Sequence, residues 1–409
     1  LMCQDKLFTT SNEQIQVVKI GTFNSNAGPD FLNAKIKIGE TLWAGDVEIH
    51  IKSSDWNTHG HPLQKSYNSV ILHVVAIHDK EICTENGTQI PTLILPILPH
   101  VKNNFTTFAD MNGKINCNNH IQTIDSSRIA LFLERLVAER FEEKAAHISE
   151  LYKNSNNDWE ETFYQLLARN FGVKQNQEGF ELLAKSLPQR IIAKHKGNLL
   201  QVEALFFGQA NLWTNNADEY EQSLKKEYQF LQKKYGLSPI SPTWWKFARM
   251  RPSSFPTIRI AQFAKLVNSS QSLTSKILNC ANYEDLKSLL YCSTSVYWEH
   301  HYTFGTISTK HSAQIGESML EILVINAIIP FLFAYGKAHH NDELCQRAYE
   351  ILLSLPPEKN RIVNQWNACG IPTKSALETQ GLLQLFNSYC TQGNCVHCSI
   401  GHIVLNKKI

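Results

Sequence analysis

The segment FLNAKIKIGETLWAGDVEIHIK, residues 31–52, decides the fold of the first part of the chain. Its β-branched and alternating residues predict two strands, 31–38 and 41–52, joined by a tight turn. Alternate side chains of a strand share a face, so the second strand should carry a polar row and an apolar row. The polar row is Asp46, Glu48, His50 and Lys52. The apolar row, which we expect on the core side, is Val47, Ile49 and Ile51.

The pattern of the chain changes near residue 120. Upstream of it, β-branched runs predict three further strands, at 14–20, 70–78 and 89–95. Downstream of it, apolar residues recur at helical spacing. The helices predicted from this spacing are 128–152, 159–171, 218–235, 258–267, 318–335, 342–353 and 375–389. Pro330 should kink or break the fifth of them.

This change of pattern predicts two domains and an α+β fold. We expect a mixed β-sheet domain at residues 1–120 and a mainly helical domain at 121–409, with a polar junction at 110–119. The first domain has a net charge of −2 and the second a net charge of +4. The acidic first domain suits a cation site better than direct phosphate binding.

The overall composition excludes some classes of protein. The chain has 409 residues, with 39 Lys and Arg against 37 Asp and Glu, so it is not a polycation that coats nucleic acid. A run of about 18 apolar residues is lacking, and no basic-then-apolar signal segment opens the sequence. We therefore expect a cytoplasmic protein with no membrane partner. The oligomeric state is left open.

Two carboxylates of the first domain form a candidate metal site. Asp30 follows Gly28 and Pro29 at the start of the first hairpin strand, and Glu48 lies in the second. Carboxylates in this arrangement could hold Mg²⁺ or Mn²⁺ beside a nucleophilic water. The alternative is structural: Asp30 caps a turn, and the polar row of the strand faces water.

These residues resemble the PD-(D/E)XK phosphodiesterase superfamily, the fold of many restriction and RecB-like nucleases. The resemblance implies that Asp30 and Glu48 coordinate the ion. It also implies a Lys two residues after the second acid, which assists the attacking water, but His50 occupies that position. Lys52 lies about 7 Å further along the same face and could replace it. The resemblance thus implies either a metal-dependent nuclease, with Asp30, Glu48, His50 and Lys52 as catalytic residues, or a silent binding or scaffold protein with a nuclease-like fold.

Histidines offer a different metal site in the same region. His59 and His61 follow the hairpin in a loop, and neutral imidazole is a good general base and transition-metal ligand. With His50 and either Asp30 or Glu48, they could bind zinc or manganese, as in a zinc hydrolase. Hydrogen bonding within the turn is the alternative role for the loop pair. His73, in an apolar strand, is expected to be a core histidine.

The cysteines divide into one cluster and six scattered residues. Cys390, Cys395 and Cys398 are spaced like metal ligands, and Cys369 is the best fourth candidate, with His397 and His402 as alternatives. Zinc or, by weak analogy with some RecB-like nucleases, an iron–sulfur cluster could bind there. A compact turn with reduced thiols is the alternative. The six scattered cysteines are expected to be small buried residues; they are Cys3, Cys83, Cys117, Cys280, Cys292 and Cys345.

A basic aromatic segment lies in the helical domain, at residues 244–259. Aromatic rings between cations could stack on bases while the cations contact phosphates. The candidate nucleic-acid ligands are Arg249, Arg251 and Arg259. The alternative is an aromatic core segment whose arginines form salt bridges.

Several motifs together carry a resemblance over nearly the full chain. They are Asn26 to Phe31, Gly45 to His50, Ser53 to Trp56, Arg249 to Pro252 and the terminal cysteine run. The chain resembles the bacterial family domain of unknown function 2851, which implies no activity and no residue roles. Members of that family start further upstream, so we expect a segment before Leu1 that could include a first helix of the nuclease fold.

Overall fold

The fold is described here from a computed structural model. The described residues are 7–24, 27–95, 101, 103–106, 115–269 and 272–407. The expected segment before Leu1, Cys3 and most of the junction 110–119 lie outside them. The chain divides into two compact units, residues 1–110 with 403–409 and residues 111–402. It is a mixed α/β protein with an N-terminal mixed sheet and a mainly helical C-terminal region.

The first unit is built on a seven-stranded sheet. Its strands are β1 Leu7–Phe8, β2 Gln14–Lys19, β3 Thr22–Phe23, β4 Phe31–Ile38, β5 Thr41–Lys52, β6 Val70–Ile77 and β7 Thr92–Ile94. The order is β1-β2-β4-β5-β6-β7, and β3 pairs with β4. Pairing is antiparallel from β1 to β5 and parallel from β5 to β7. The tight turn between β4 and β5 joins them in the predicted hairpin. The strand predicted at 89–95 is shorter in the structure and has only the three residues of β7.

The connection from β5 to β6 covers one face of the sheet. It contains the short helix α1, Asp55–Thr58, and two 3₁₀ turns, His61–Leu63 and Lys65–Tyr67. Trp56 and Tyr67 from this connection form a small core with Val70, Ile82 and Ile90. A second small core includes buried residues of the hairpin, β2, β6 and β7.

This covering corrects the expected burial of β5. Side chains alternate as predicted, and Val47 is buried, but Ile49 is 47% and Ile51 64% exposed. Glu48, on the polar row, is only 6% exposed. The reason is that the connection from β5 to β6 packs on the middle of the polar row and removes the side chains of Glu48 and His50 from water.

The second unit is mainly helical around a large apolar core. Its helices are α2 Ser126–Asn154, α3 Trp159–Phe171, α4 Val173–Ser186, α5 Gln189–Ile192, α6 Leu199–Ala210, α7 Glu219–Tyr235, α8 Pro256–Ser269, α9 Leu273–Asn279, α10 Tyr283–Leu290, α11 Glu317–Leu323, α12 Ile329–Ala338, α13 Asp342–Ser354, α14 Arg361–Ala368 and α15 Ala376–Gln384. A last helix, α16 Ser399–Leu405, leads into the C-terminal residues that belong to the first unit. A small hairpin pairs β8 His301–Thr303 with β9 Thr306–Ile307.

Pro330 does not break its helix, but the regular winding changes directly before it. A π-helical turn, Val324–Ile328, joins α11 to α12, and Pro330 lies in the first turn of α12. Proline lacks the amide hydrogen that a regular helix needs in its interior, and the wider turn accommodates it. The resulting stretch Glu317–Ala338 has 22 residues and contains an 18-residue window with a mean hydropathy of 1.9, so it is long and apolar enough to span a membrane. Because 72% of its apolar window is buried within the protein, it has the character of a core helix.

Candidate metal centre

The loop after β5 is fixed by hydrogen bonds at its start. The Ser53 amide donates to the Ile77 carbonyl, and the Ser53 and Ser54 hydroxyls donate to the Asp79 carboxylate, at 3.0 and 2.8 Å. Trp56 is fully buried, and its Nε1 donates to the Cys83 carbonyl at 3.0 Å. These bonds hold the following residues against the polar row of β5.

Gly60 then reverses the chain between two histidines. It has a φ of 76°, in the left-handed region that glycine adopts at low cost. His59 and His61 are thereby placed on either side of the turn, and both come against His50 of β5. The rings of His50 and His61 stack at 5.3 Å, and His59 meets His50 edge-on at 4.9 Å.

Three histidines and one carboxylate converge at this point. His50 Nε2 lies 3.1 Å from His59 Nδ1 and 3.5 Å from Glu48 Oε1. His61 Nε2 lies 3.3 Å from the same Glu48 oxygen. One ligand nitrogen from each of the three histidines lies within 4.8 Å of the others. The candidate donors are therefore three imidazole nitrogens and, beside His50 and His61, one carboxylate oxygen.

Three of the separations match those of neighbouring ligands on one ion. Metal–nitrogen and metal–oxygen bonds of about 2.1 Å in a tetrahedron place neighbouring ligand atoms about 3.4 Å apart. The three separations of 3.1, 3.3 and 3.5 Å lie close to this value. Both ring nitrogens of His61 are buried and have no hydrogen-bond partner among the described residues. An ion at the centre would satisfy one of them, and an imidazole-rich set favours zinc or manganese over magnesium.

Asp30 lies beside this set through a reciprocal contact with β5. Its backbone amide donates to Glu48 Oε2 at 3.1 Å, and its own Oδ2 accepts from the Ile49 amide at 2.9 Å. Burial and, to a smaller extent, the negative charge of Asp30 together raise the pKa of Glu48 to about 7, although the hydrogen bond from the Asp30 amide lowers it. A cation would relieve both effects, so the two carboxylates also favour ion binding.

The histidines are held in their neutral, metal-binding form. Burial, together with neighbouring histidines, lowers the pKa of His61 to about 4 and of His73 to about 3. Burial also lowers the pKa of His50. Neutral imidazole is the form that binds metal. His59 is exposed, so the centre opens to solvent at His59.

Residues around the centre include some that the sequence did not assign to it. His73 is fully buried, as expected, but its Nε2 lies 2.8 Å from His50 Nδ1 and so orients that ring. The Tyr67 ring stacks on His61 at 3.8 Å, and the Trp56 ring meets His61 edge-on at 5.2 Å. Trp56 could have been found from the sequence, because it ends the motif Ser53 to Trp56, whose serines hold the start of the loop in place. None exists for Tyr67, whose contact depends on the folded loop.

Two polar residues of β5 lie outside the centre. Lys52 is exposed, its amide binds Asp55 Oδ2, and its side chain makes no ion pair in the part of the chain that the structure describes. Asp46 accepts from the Asn33 amide at 2.9 Å and from the Ser69 hydroxyl at 2.5 Å. Asp46 therefore fixes the strand and the loop.

The predicted nucleic-acid ligands of the second unit differ in exposure. Arg249 and Arg251 are exposed, and Arg249 has a left-handed φ of 60°. Arg259 is half-buried on α8, where its Nη1 donates to Gln262 at 2.9 Å. Burial lowers the pKa of Arg259 to about 10. Arg259 therefore serves packing, and only the first two arginines present cations to solvent.

The cysteines follow the sequence expectation in part. Cys280 and Cys292 are buried, but Cys83 is exposed, because it lies on a short bridge to Gln89 outside the sheet core. In the C-terminal group, Cys369 and Cys398 are buried, and Cys390 and Cys395 are half-buried. The described cysteines are all free thiols.

Comparison with known proteins identifies a family. No curated protein and no solved structure matches the chain. Residues 1–361 match the family described as "Protein of unknown function (DUF2851)". This match spans most of the 409 residues, including the sheet, the histidine centre and the basic aromatic segment. The chain belongs to the DUF2851 family.

Proposed function

We propose that this protein is a metal-dependent phosphodiesterase that acts on nucleic acid. The observation that carries the proposal is the convergence of His50, His59, His61 and Glu48 at separations suited to one ion. The centre is open to solvent at His59, as a hydrolytic site requires for its substrate.

The ion of this centre would be zinc or manganese. Bound there, it would polarise a phosphoryl oxygen and supply a water of lowered pKa. Magnesium, which the carboxylate pair predicts from sequence, prefers an all-oxygen octahedral set and fits this imidazole-rich one less well.

The chain's own residues would then divide the remaining work. Glu48 and the three histidines would hold and orient the ion, and His73 fixes the His50 ring through the 2.8 Å nitrogen contact. Asp30, beside Glu48, would accept the proton of the attacking water as the phosphorus–oxygen bond of the leaving group breaks. No role is needed for a lysine, so His50 in its place is compatible with activity.

The choice of substrate rests on the resemblance to PD-(D/E)XK nucleases. Asp30 stands before β4 and Glu48 within β5, and β6 follows, which is the order of elements that the resemblance predicts. The exposed Arg249 and Arg251 offer phosphate contacts. Binding through them should weaken steeply as salt is added, because neutralised phosphates release counterions.

Cleavage assays test this function directly. Purified protein is incubated with single- and double-stranded DNA and RNA and with bis(p-nitrophenyl) phosphate, in Mn²⁺, Zn²⁺ or Mg²⁺. We expect cleavage with Mn²⁺ or Zn²⁺. The cleavage rate should fall by at least about 100-fold in Glu48→Gln and in His61→Ala, because loss of a ligand weakens binding of the ion that would activate the water.

A matched control is His147→Ala, because His147 is exposed on α2, far along the chain from the centre. It should retain full activity. Equal cleavage by wild type, Glu48→Gln and His61→Ala would show that the activity is contamination. Salt-sensitive binding of nucleic acid without turnover in any metal would instead identify a silent binding protein.

A further inference from the structure

A cavity of about 530 Å³ lies within the helical unit. It is formed by the C-terminal ends of α8 and α10, by α9 and by the segment 291–294 that follows α10. Ligand pockets in proteins commonly have volumes of about 300–1,000 Å³. The cavity is therefore large enough for a small organic molecule, and the function proposed above gives it no role.

Two lysines give this cavity a positive charge. Lys265 of α8 and Lys276 of α9 both line it, and none of its described lining residues is acidic. Neither lysine forms an ion pair within the part of the chain that the structure describes. The lysines of this unit that do so are Lys185, Lys225, Lys287, Lys310 and Lys337. Two cations that face one cavity without an acidic partner attract an anionic ligand.

The buried carboxyl of Glu203 does not neutralise Lys265. The charge of Lys265 acts on this carboxyl and lowers its pKa, but burial has the larger and opposite effect. Glu203 is fully buried, and its carboxyl is bonded by the Tyr220 and Ser295 hydroxyls. The amino group of Lys265 therefore remains available to a ligand in the cavity.

Hydroxyl groups lie beside the two lysines. Ser269, Ser288 and Ser293 line the cavity, and their hydroxyls have no hydrogen-bond partner among the described residues. Ammonium and hydroxyl groups both donate to phosphate oxygens, and charge strengthens the bonds from ammonium. Two lysines also match the charge of a phosphate monoester, which is about −1.5 to −2 at pH 7. The polar lining thus suits a phosphate monoester.

The cavity also has an apolar lining with an exposed aromatic ring. Leu266 and Leu289 line it together with Tyr291, which is 54% exposed. The Tyr291 hydroxyl donates to Gln314 Oε1 at 2.6 Å. The Gln314 carbonyl in turn accepts from the buried Gln262 side chain of α8 at 2.9 Å. The Tyr291 ring is therefore held in place, and a planar base can stack on it.

We propose that this cavity binds a nucleotide through its phosphate monoester, either as a free nucleotide or at the end of a nucleic acid strand. Lys265 and Lys276 hold the phosphate together with the serine hydroxyls, and the base stacks on Tyr291. The proposal depends on the helical unit alone and does not rest on the metal centre, so it is tested with metal removed.

Isothermal titration calorimetry of the full chain in EDTA tests this binding. The probes are AMP, adenosine, inorganic phosphate and a short DNA strand with or without a terminal phosphate. We expect saturable binding of AMP, and binding of adenosine at least about 10-fold weaker, because adenosine lacks the charge-assisted bonds. A preference for the phosphorylated strand over AMP would support strand ends as the ligand, and the reverse would support free nucleotides. Absence of binding by both AMP and the phosphorylated strand would overturn the proposal.

Variants of the cavity locate the binding. Lys265→Gln and Lys276→Gln should each weaken AMP binding by about 10-fold or more. The matched control is Lys287→Gln, which removes the same charge from α10, because Lys287 is paired with Glu317 at 2.7 Å and does not line the cavity. It should leave the affinity unchanged. Tyr291→Leu should weaken the binding of AMP but not of inorganic phosphate. Equal affinity of wild type and both cavity lysine variants would exclude this cavity as the binding site.

A measurement on wild type covers the case in which a variant fails to fold. Lysines are acetylated with an N-hydroxysuccinimide ester, with and without saturating AMP, and the modified positions are mapped by mass spectrometry. We expect AMP to protect Lys265 and Lys276 and to leave Lys287 equally reactive. Unchanged labelling of both cavity lysines would contradict the proposal.

Discussion

His61 Nε2 and Glu48 Oε1 lie 3.3 Å apart and both side chains are less than a tenth exposed, yet they form no hydrogen bond. A buried donor and acceptor at this distance normally bond, because an unmade bond costs free energy. The proposed metal centre accounts for this geometry, since both side chains would then direct a lone pair towards one ion. This relationship links a strand residue to a loop residue thirteen positions later.

Zinc or manganese should stabilise the folded protein. At a free-metal concentration about 100 times the dissociation constant, binding to the native state alone raises the free energy of unfolding by about 2.7 kcal/mol. Differential scanning calorimetry with and without metal measures this gain. The gain should vanish in His61→Ala and persist in His147→Ala; an equal gain in both variants would contradict the assigned centre.

Metal affinity should fall with acidification below about pH 7. The pKa of Glu48 is raised to about 7, so below it a proton must leave the carboxyl before the ion binds. The pKa values of His61 and His73, about 4 and about 3, keep these rings neutral over this range. Competitive titration with a chromogenic chelator between pH 6 and 8 measures the slope. Glu48→Gln should bind more weakly and lose this slope; an unchanged slope would assign the proton elsewhere.

Glu203 should make the helical unit less stable as pH rises. This carboxyl is fully buried, is bonded by the Tyr220 and Ser295 hydroxyls, and has its pKa raised by burial to about 7. The folded state therefore binds a proton more tightly than the unfolded state, whose pKa is near 4.5. The stability from this group is complete below about pH 4.5 and is lost as pH rises through 7, by about 3 kcal/mol in total.

Glu203→Gln isolates this contribution. The neutral amide should flatten the pH dependence of the unfolding free energy between pH 5 and 8, relative to wild type, in urea titrations followed by circular dichroism. The exposed Glu219→Gln serves as the comparison and should leave the dependence unchanged. Parallel curves for wild type and Glu203→Gln would rule out the assignment.

Trp56→Ala should unfold the loop that carries His59 and His61. Trp56 is fully buried and packs against His61 and His73, so its truncation should cost about 3–5 kcal/mol and reduce metal binding. Trp43→Ala provides the comparison, because Trp43 is 46% exposed on the same hairpin. Tryptophan fluorescence in denaturant, with a metal titration, measures both effects. A loss no larger than that of Trp43→Ala would be the contrary result.

Gly208→Ala should destabilise the contact between α6 and α7. A Cβ atom at this position would lie 2.1 Å from the Tyr228 ring, and Tyr228 is itself bonded to Gln209. The helices would have to separate, at a cost of about 1–3 kcal/mol or more. Gly316→Ala, where no atom lies within 4 Å of the added Cβ, should change stability by less than about 0.5 kcal/mol. Thermal denaturation compares the two.

The sequence predicts the local elements well and the burial of the site poorly. Alternation locates β4 and β5, and helical spacing locates α3. The helix Leu199–Ala210 is missed because it is apolar on all sides and has no amphipathic period. These are local properties, which a single sequence contains.

The parts that the sequence does not predict depend on distant contacts. The loop after β5 decides which row of the strand is buried. It folds over the polar row, so Ile49 on the apolar row is exposed, contrary to the prediction. His50, His59 and His61 are identified from the sequence as candidate ligands, but the contact of Glu48 with both His50 and His61 requires the fold.

The π-helical turn before Pro330 determines whether this part of the chain can lose a single residue. A π turn is equivalent to one extra residue within a regular helix, and the wide turn absorbs that residue so that both flanks keep their faces. Deletion of one residue from Val324–Ile328 would restore regular winding on both sides without shifting either flank against the core. Because Pro330 opposes regular winding, such a deletion should be tolerated in evolution only together with replacement of the proline.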